Sequence, residues 1–387
     1  MSLPMTEDTR GAFTTLADRL AAANNRPTGF DYMRITLALL VVCCHTINVC
    51  YGEKINQLIW NSPARSVLAL ILPMFFALSG FLVAGSFERC RTLVSFAGLR
   101  IIRLLPALAV DTLIGALLLG PLFTDLHLSD YFSDPQFSSY FLNLIGEIHY
   151  YLPGVFAHNP WPNSVNLQLW TLPFELACYA SISILALLGI AQRPRLMLFS
   201  VVSLNILFII YYVLIKGVKP ISTVSGPILL LCFLFGITMY LFRQKIVWTH
   251  GFGLLSLFAS LICLSIPLGD YLAPIPVTYL TVYLGLMQPR KNQFLTSGDY
   301  SYGIFLYGFP VQQAVAAVLG PTGQHWYLNL LVSLPIIAML AGFSWWCIEK
   351  PALRLRPWLL KLEDQTIRFA EKIPGGKLIM PGLGIHH

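Results

Sequence analysis

Two ionisable side chains, His45 and Glu175, stand in stretches that otherwise carry almost only apolar residues. Placing such a group in a membrane is costly, so it is expected to face an interior cavity or a partner. Arg34 lies eleven residues before His45, close to three helical turns, and Asn48 follows one turn later. Arg34, His45 and Asn48 therefore form one polar stripe on an otherwise apolar helix. At ~1.5 Å rise per residue, His45 is roughly 18 Å into the segment, past the midplane. Glu175, in "NLQLWTLPFELACY" (166–179), is about seven residues, or ~10 Å, below the start of its own apolar run. If the two runs cross in opposite directions, the groups fall at similar depth. A carboxylate beside a neutral imidazole fixes its tautomer and stabilises the imidazolium formed when it takes a proton. That chemistry suits a general base acting on a hydroxyl. The plainer alternatives are a histidine bonded to a neighbouring helix and an isolated buried carboxyl.

A second constellation is "LRIIRLLPAL" (99–108), in which Arg100 and Arg103 are one turn apart. A single arginine at such a place is ordinarily a membrane anchor. A pair on one face can grip phosphates, because guanidinium groups bind them bidentately. Asn48, Ser79 and Tyr302 are candidate donors to a developing oxyanion, although each also suits plain interhelical hydrogen bonding.

The elements that must position these groups are spanning helices. Of the 387 residues, 56% are hydrophobic and only 11% charged, against about 25% charged in soluble domains. The chain reads as an all-α polytopic membrane protein. A spanning helix needs about 20 mostly apolar residues, and about ten candidates follow: 33–50, 66–86, 104–123, 168–189, 196–215, 225–242, 251–267, 270–288, 301–319 and 326–348. The seventh and eighth are divided only by the turn around Gly269 and Asp270. Residues 1–29 are polar without an apolar core, so the first apolar run is expected to remain as a spanning helix. The net charge of +7 is spread between apolar runs and does not imply nucleic acid. The eight cysteines include no C-x-x-C and read as small packing residues, and no metal site is expected.

Loop charges give an orientation. One set of connections holds Arg10, Arg19 and Arg26; Arg89, Arg91, Arg100 and Arg103; Arg193 and Arg195; Arg243 and Lys245; Arg290 and Lys291; and Lys350, Arg354 and Arg356. The alternate set has only Lys54, Arg65, Lys216 and Lys219. The positive-inside rule then puts both termini in the cytoplasm. The expected organisation is a cytoplasmic tail over 1–29, a membrane domain over 30–357 and a cytoplasmic tail over 358–387. Within the domain, 87–103 ("FERCRTLVSFAGLRIIR") reads as an amphipathic helix on the cytoplasmic face. The long 124–167 segment, rich in aromatic residues, reads as a folded cap outside. Aromatic faces suit an interface more than a sugar, though both are open.

The ordered fragments now resemble a known family, the acyltransferase 3 integral membrane acyltransferases, which modify sugars and other carriers. Phe30-Asp31-Tyr32-Met33-Arg34 followed by His45 is similar to its opening motif. "PMFFALSGFL" (73–82), the R-x-x-R of Arg100 and Arg103, "LWTLPFE" (169–175), "DYSYGIFLYGFPV" (299–311) and "CIEKPALRL" (347–355) follow in the family's order. The resemblance covers about 30–357. It implies that an acyl group from a cytoplasmic acyl-CoA, expected to be acetyl-CoA, reaches a hydroxyl of a sugar or glycan acceptor. It implies catalytic roles for His45, Glu175, Arg34 and Asp31, and donor binding by Arg100 and Arg103. It adds Trp170 to Asn48, Ser79 and Tyr302 as substrate-side candidates. A bacterial inner membrane is the implied location, and the bilayer a partner. Two departures stand out. Gly308 occupies the place near Pro310 where many members have a histidine, and no extension after 357 is large enough for the hydrolase-like domain some relatives carry. The competing readings are a transporter or flippase for a lipid-linked sugar or acyl compound, and a non-catalytic receptor or scaffold.

Overall fold

The computed structural model describes residues 14–216, 223–292 and 297–371. Arg10, Lys219 and the 372–387 part of the expected C-terminal tail lie outside them. The architecture is helical, with only isolated bridges and no strand among the described residues. Twelve helices frame it: α1 (Leu16–Ala22), α2 (Thr28–Trp60), α3 (Ile71–Glu88), α4 (Leu93–Ile114), α5 (Leu172–Leu187), α6 (Pro194–Tyr211), α7 (Gly226–Leu241), α8 (His250–Ser265), α9 (Pro274–Gly285), α10 (Ser301–Leu319), α11 (Trp326–Phe343) and α12 (Arg356–Glu371).

Among the described residues, seven helical stretches are long and apolar enough to cross a membrane: Thr28–Trp60, Arg65–Glu88, Leu93–Phe123, Leu167–Leu187, Pro194–Ile215, Ser301–Gln324 and Trp326–Gln365. The other three expected spans are present as apolar helices of 16, 16 and 12 residues, α7, α8 and α9. At ~1.5 Å per residue they reach about 24 Å and 18 Å, short of a hydrocarbon core of ~30 Å. Seven spans, not ten, therefore qualify by length and composition.

Burial separates centre from rim. The windows of Arg65–Glu88 and Ser301–Gln324 are 67% buried, while that of Pro194–Ile215 is only 11% buried and presents apolar side chains outward. Between α3 and α7 the backbones nearly touch. A Cβ at Gly80 would lie 2.0 Å from the Phe233 carbonyl oxygen, and one at Gly236 would lie 2.4 Å from that of Ala77. Close approach through small residues is the ordinary route to tight packing in lipid, where water drives nothing together.

The 87–103 stretch is not a separate surface helix. Its first residues end α3, and α4 starts at Leu93, capped by Thr92, whose hydroxyl accepts from the Ser95 amide at 3.2 Å. From there α4 runs without a break past Arg100 and Arg103, because nothing between 93 and 114 interrupts its backbone bonding except Pro106, which is tolerated in the helix. The described parts of both tails pack against the domain. Leu16 and Leu20 of α1 are buried, and Arg19 lies 4.1 Å from the Trp248 ring centroid. In α12, the buried Glu363 accepts from the Arg91 amide and the Thr92 hydroxyl, each at 3.0 Å. Residues 124–167 fold around Tyr131, Tyr140, Leu152, Val155, Phe156 and Val165, which pack on Ala116 of the helical stretch that continues α4.

Candidate active site

Two cavities divide the sequence-derived site residues. The first, of about 190 Å³, is lined by Arg34, Ser79, Arg100, Arg103, Glu175, Tyr179, Asp299 and Tyr302 among others. The second, of about 300 Å³, is lined by His45, Asn48, Trp60, Gln168 and Trp170 among others. Leu72, Thr171 and Phe305 line both. The polar stripe of α2 thus serves two chambers, Arg34 facing the first and His45 with Asn48 facing the second.

The first cavity is organised by ions. Arg34 Nη1 is 2.9 Å from Asp299 Oδ2 and 3.8 Å from Asp31 Oδ1. Arg103 reaches the same Asp299 oxygen at 2.5 Å and Glu349 Oε2 at 3.2 Å. Ser301 donates to Asp299 Oδ1 at 2.6 Å, and Ser344 donates to Glu349 Oε1 at 3.0 Å. Burial pushes the Asp299 carboxyl up, but the Arg103 and Arg34 guanidiniums outweigh it and hold the group at about 2. Asp31 lines neither cavity and meets Arg34 one turn along its own helix. This network ties α2, α4, the entry to α10 and the end of the α11 stretch together.

Arg100 is different. Its guanidinium donates to the Ser86 hydroxyl at 3.0 Å and lies 5.7 Å and 5.8 Å from the Phe96 and Tyr179 ring centroids. No carboxylate among the described residues pairs with it, and its Nε is buried without a partner. The two members of the R-x-x-R pair are therefore not equivalent. Arg103 is paired with two carboxylates, whereas Arg100 makes no ion pair and meets the Glu175 charge only across the cavity.

The expected contact between His45 and Glu175 is not made. Glu175 accepts from the Tyr179 hydroxyl at 2.7 Å in the first cavity. His45 packs edge-on against Phe309, with ring centroids 5.3 Å apart, in the second. The reason is geometric. Residues at i and i+4 share a helix face, so Tyr179 meets Glu175 on α5 itself. Depth counted along each helix says nothing of the direction in which a side chain leaves it. Neither His45 nitrogen bonds to a described residue, which leaves the ring available to a ligand. Tyr302 has used its proton, donating to the Leu104 carbonyl at 3.1 Å, so it is a poor oxyanion donor.

Several residues escaped the sequence reading. Asp299 and Glu349 lie inside quoted fragments, yet their pairing with arginines 196 and 246 positions away has no local signal. Asp111 had the same signal as His45, a charge in an apolar run. It is 1% exposed and accepts from Asn166 Nδ2 at 3.0 Å. Asn166 also bonds the Tyr140 hydroxyl, and Gln168 donates to the Leu306 carbonyl at 2.7 Å.

The chain is similar to known proteins. A family model described as an acyltransferase domain, that of acyltransferase 3, matches residues 28–349. Nodulation protein 10 of Rhizobium leguminosarum bv. viciae is 27% identical over 366 residues, covering 86% of this chain and 94% of its own. The O-acetyl transferase of Shigella phage Sf6 is 28% identical over 340 residues, covering 83% and 94%. No solved structure matches significantly. With apolar helices long enough to cross a membrane, the chain belongs to the acyltransferase 3 family and is an integral membrane O-acyltransferase.

Proposed function

We propose that this enzyme moves an acetyl group from cytoplasmic acetyl-CoA to a hydroxyl of a sugar or glycan, with His45 as the general base. The observation that carries the reading is the pair of adjoining cavities, one holding Arg100 and the other His45, with only Leu72, Thr171 and Phe305 common to both walls. Arg100 receives a phosphate of the donor. Glu175, bonded to Tyr179, shapes the anion-binding chamber rather than the base. The Asp299 network holds α2 and α4 in register, and so keeps Arg34 and Arg103 beside the donor. The thioester enters the second cavity past Thr171 and Phe305. There His45 takes the proton of the acceptor hydroxyl as its oxygen attacks the thioester carbonyl, and CoA leaves as the thiol. Base catalysis of this kind contributes about 10²–10⁴-fold. Positioning and donors such as Asn48 supply the rest, and Trp170 bounds the acceptor.

The orientation that fits this chemistry has both termini in the cytoplasm, the 124–167 cap outside and about ten membrane-embedded helices, with α7, α8 and α9 not reaching across alone. A bacterial inner membrane suits the positive-inside pattern. The printed activity of the phage relative, O-acetyl transfer, favours acetyl as the group moved. Mass spectrometry of cell-envelope glycans, with and without the protein, tests the reading. A base-labile acetyl ester that depends on the protein is expected, and identical glycans in both cultures would refute it.

A further inference from the structure

The mechanism leaves one built cavity unused. It measures about 420 Å³ and lies where the connection after α2 meets the turn between α8 and α9. Trp60, Asn61, Ser62, Arg65, Ser66, Ser265 and Asp270 are on its wall. Asp270 is 2% exposed, and its Oδ2 pairs with Arg65 at 2.5 Å. Arg65 also donates to the Leu264 carbonyl. The other carboxylate oxygen, Oδ1, is buried with no partner. A buried acceptor left unsatisfied is costly, of the order of 1–3 kcal/mol, and such a group calls for a ligand or a structural reason.

The surrounding hydroxyls point to what the ligand is. Ser62, Ser66 and Ser265 each donate to a backbone carbonyl, those of Ile59, Pro63 and Leu261, at 2.7, 3.1 and 2.7 Å. Their protons are spent, so they offer lone pairs, although Ser62 already accepts from the Ala64 amide at 3.2 Å. With the Asp270 carboxylate packed behind them, the hydroxyls make the wall rich in acceptors, which asks for a ligand rich in O–H donors. A metal cation is disfavoured because the Arg65 guanidinium already sits on the carboxylate. An anion is disfavoured because that same guanidinium is neutralised by Asp270. A neutral polyhydroxylated molecule remains. The indole of Trp60 gives it an apolar face, and Trp60 also lines the His45 cavity.

We infer that the Arg65–Asp270 cavity is a subsite for the sugar acceptor, holding hydroxyls of the part of the chain not being acylated and directing the reactive hydroxyl past Trp60 to His45. This rests on the acyl-transfer reading for the use of the site, but not for binding itself. Ser265 stands exposed at the rim, so Ser265→Trp fills the cavity and leaves the ion pair intact. Asp270→Asn removes the orphaned carboxylate, though it also unpairs Arg65 and endangers folding.

The test uses purified full-length protein without acyl-CoA, titrated with methyl glycosides of glucose, galactose and N-acetylglucosamine, and with glycerol 3-phosphate. At least one glycoside is expected to raise the melting temperature of the parent protein and to do so at least tenfold more weakly in Ser265→Trp. In native membrane vesicles given acetyl-labelled CoA, Ser265→Trp is expected to slow transfer to glycan at least tenfold with the KM for acetyl-CoA unchanged. Stabilisation by no glycoside, equal stabilisation of the variant, or stabilisation by glycerol 3-phosphate alone would overturn the sugar site. Glycoside binding that Ser265→Trp abolishes, in a protein that transfers no acetyl group, would uphold the site and remove the acyl-transfer reading instead.

Discussion

The inequality of Arg100 and Arg103 makes a sharp prediction. Removing Arg100 deletes one bond to the Ser86 hydroxyl and leaves no carboxylate behind unpaired. Stability should change little. Binding of the donor should suffer, because a hydrogen bond to a charged group is worth about 1.5–3 kcal/mol, or roughly 10- to 150-fold. Arg100→Ala is therefore expected to raise the KM for acetyl-CoA by that factor, and Arg100→Lys to recover part of it, since the charge survives and the planar fork does not. Removing Arg103 is another matter. It leaves Asp299 with Arg34 alone and Glu349, 2% exposed, with no counter-ion nearby. Breaking a buried ionic pair from one side costs about 3–5 kcal/mol, so Arg103→Ala should lose folded protein before kinetics can be read. Radioligand binding of acyl-CoA to detergent-purified variants, beside thermal melts, separates the two effects. A stably folded Arg100→Ala protein with unchanged donor affinity would refute the assignment, as would an Arg103→Ala protein as stable as the parent.

The Asp299 network also predicts a pH response. Its carboxyl is held at about 2 in the folded protein, below the value of about 3.9 of a free aspartate. The stabilisation it brings is therefore complete above pH ~4 and is lost as pH falls from ~4 towards 2, so the melting-temperature gap between the parent and Asp299→Asn should be constant at neutral pH and shrink only in that acid window. A gap that closes between pH 6 and 8 would contradict it. Gly80→Val should cost several degrees of melting temperature or abolish expression, because its Cβ would sit 2.0 Å from a backbone oxygen that cannot swing aside; a parent-like melt would count against the close α3–α7 contact. Glu175→Gln should leave the pH profile of turnover in place, since Glu175 bonds Tyr179 and not His45; a displaced profile would restore a direct pair. A cysteine placed at Ser138 in the cap should react with an impermeant thiol reagent on intact cells, and labelling only after lysis would reverse the orientation.

Much of the fold was legible because its signal is local. Apolar run length located the helices long enough to cross a membrane, charges inside those runs drew attention to His45 and Glu175, and the one-turn spacing drew attention to Arg100 and Arg103. What failed was information that only tertiary packing supplies. The lengths of α8 and α9 are bounded by the Thr249 cap and by the turn at Gly269–Tyr271, which falls inside the apolar run expected over 270–288. Helical phase put Arg34 and His45 on one stripe but could not say that a wall of other helices would divide it into two chambers. The ion network was illegible for the same reason: Asp299 and Arg34 are 265 residues apart, and neither neighbourhood names the other.

The account stands on His45 as the group that takes the acceptor's proton. The most direct measurement is single-turnover transfer from acetyl-labelled CoA in native membrane vesicles, comparing the parent protein with His45→Ala at equal amounts of folded protein. The parent should move the label to glycan, and the variant should bind acetyl-CoA normally yet transfer at least about 10²-fold more slowly. Parent-like transfer by a folded His45→Ala protein would contradict it and leave this histidine as a packing residue against Phe309.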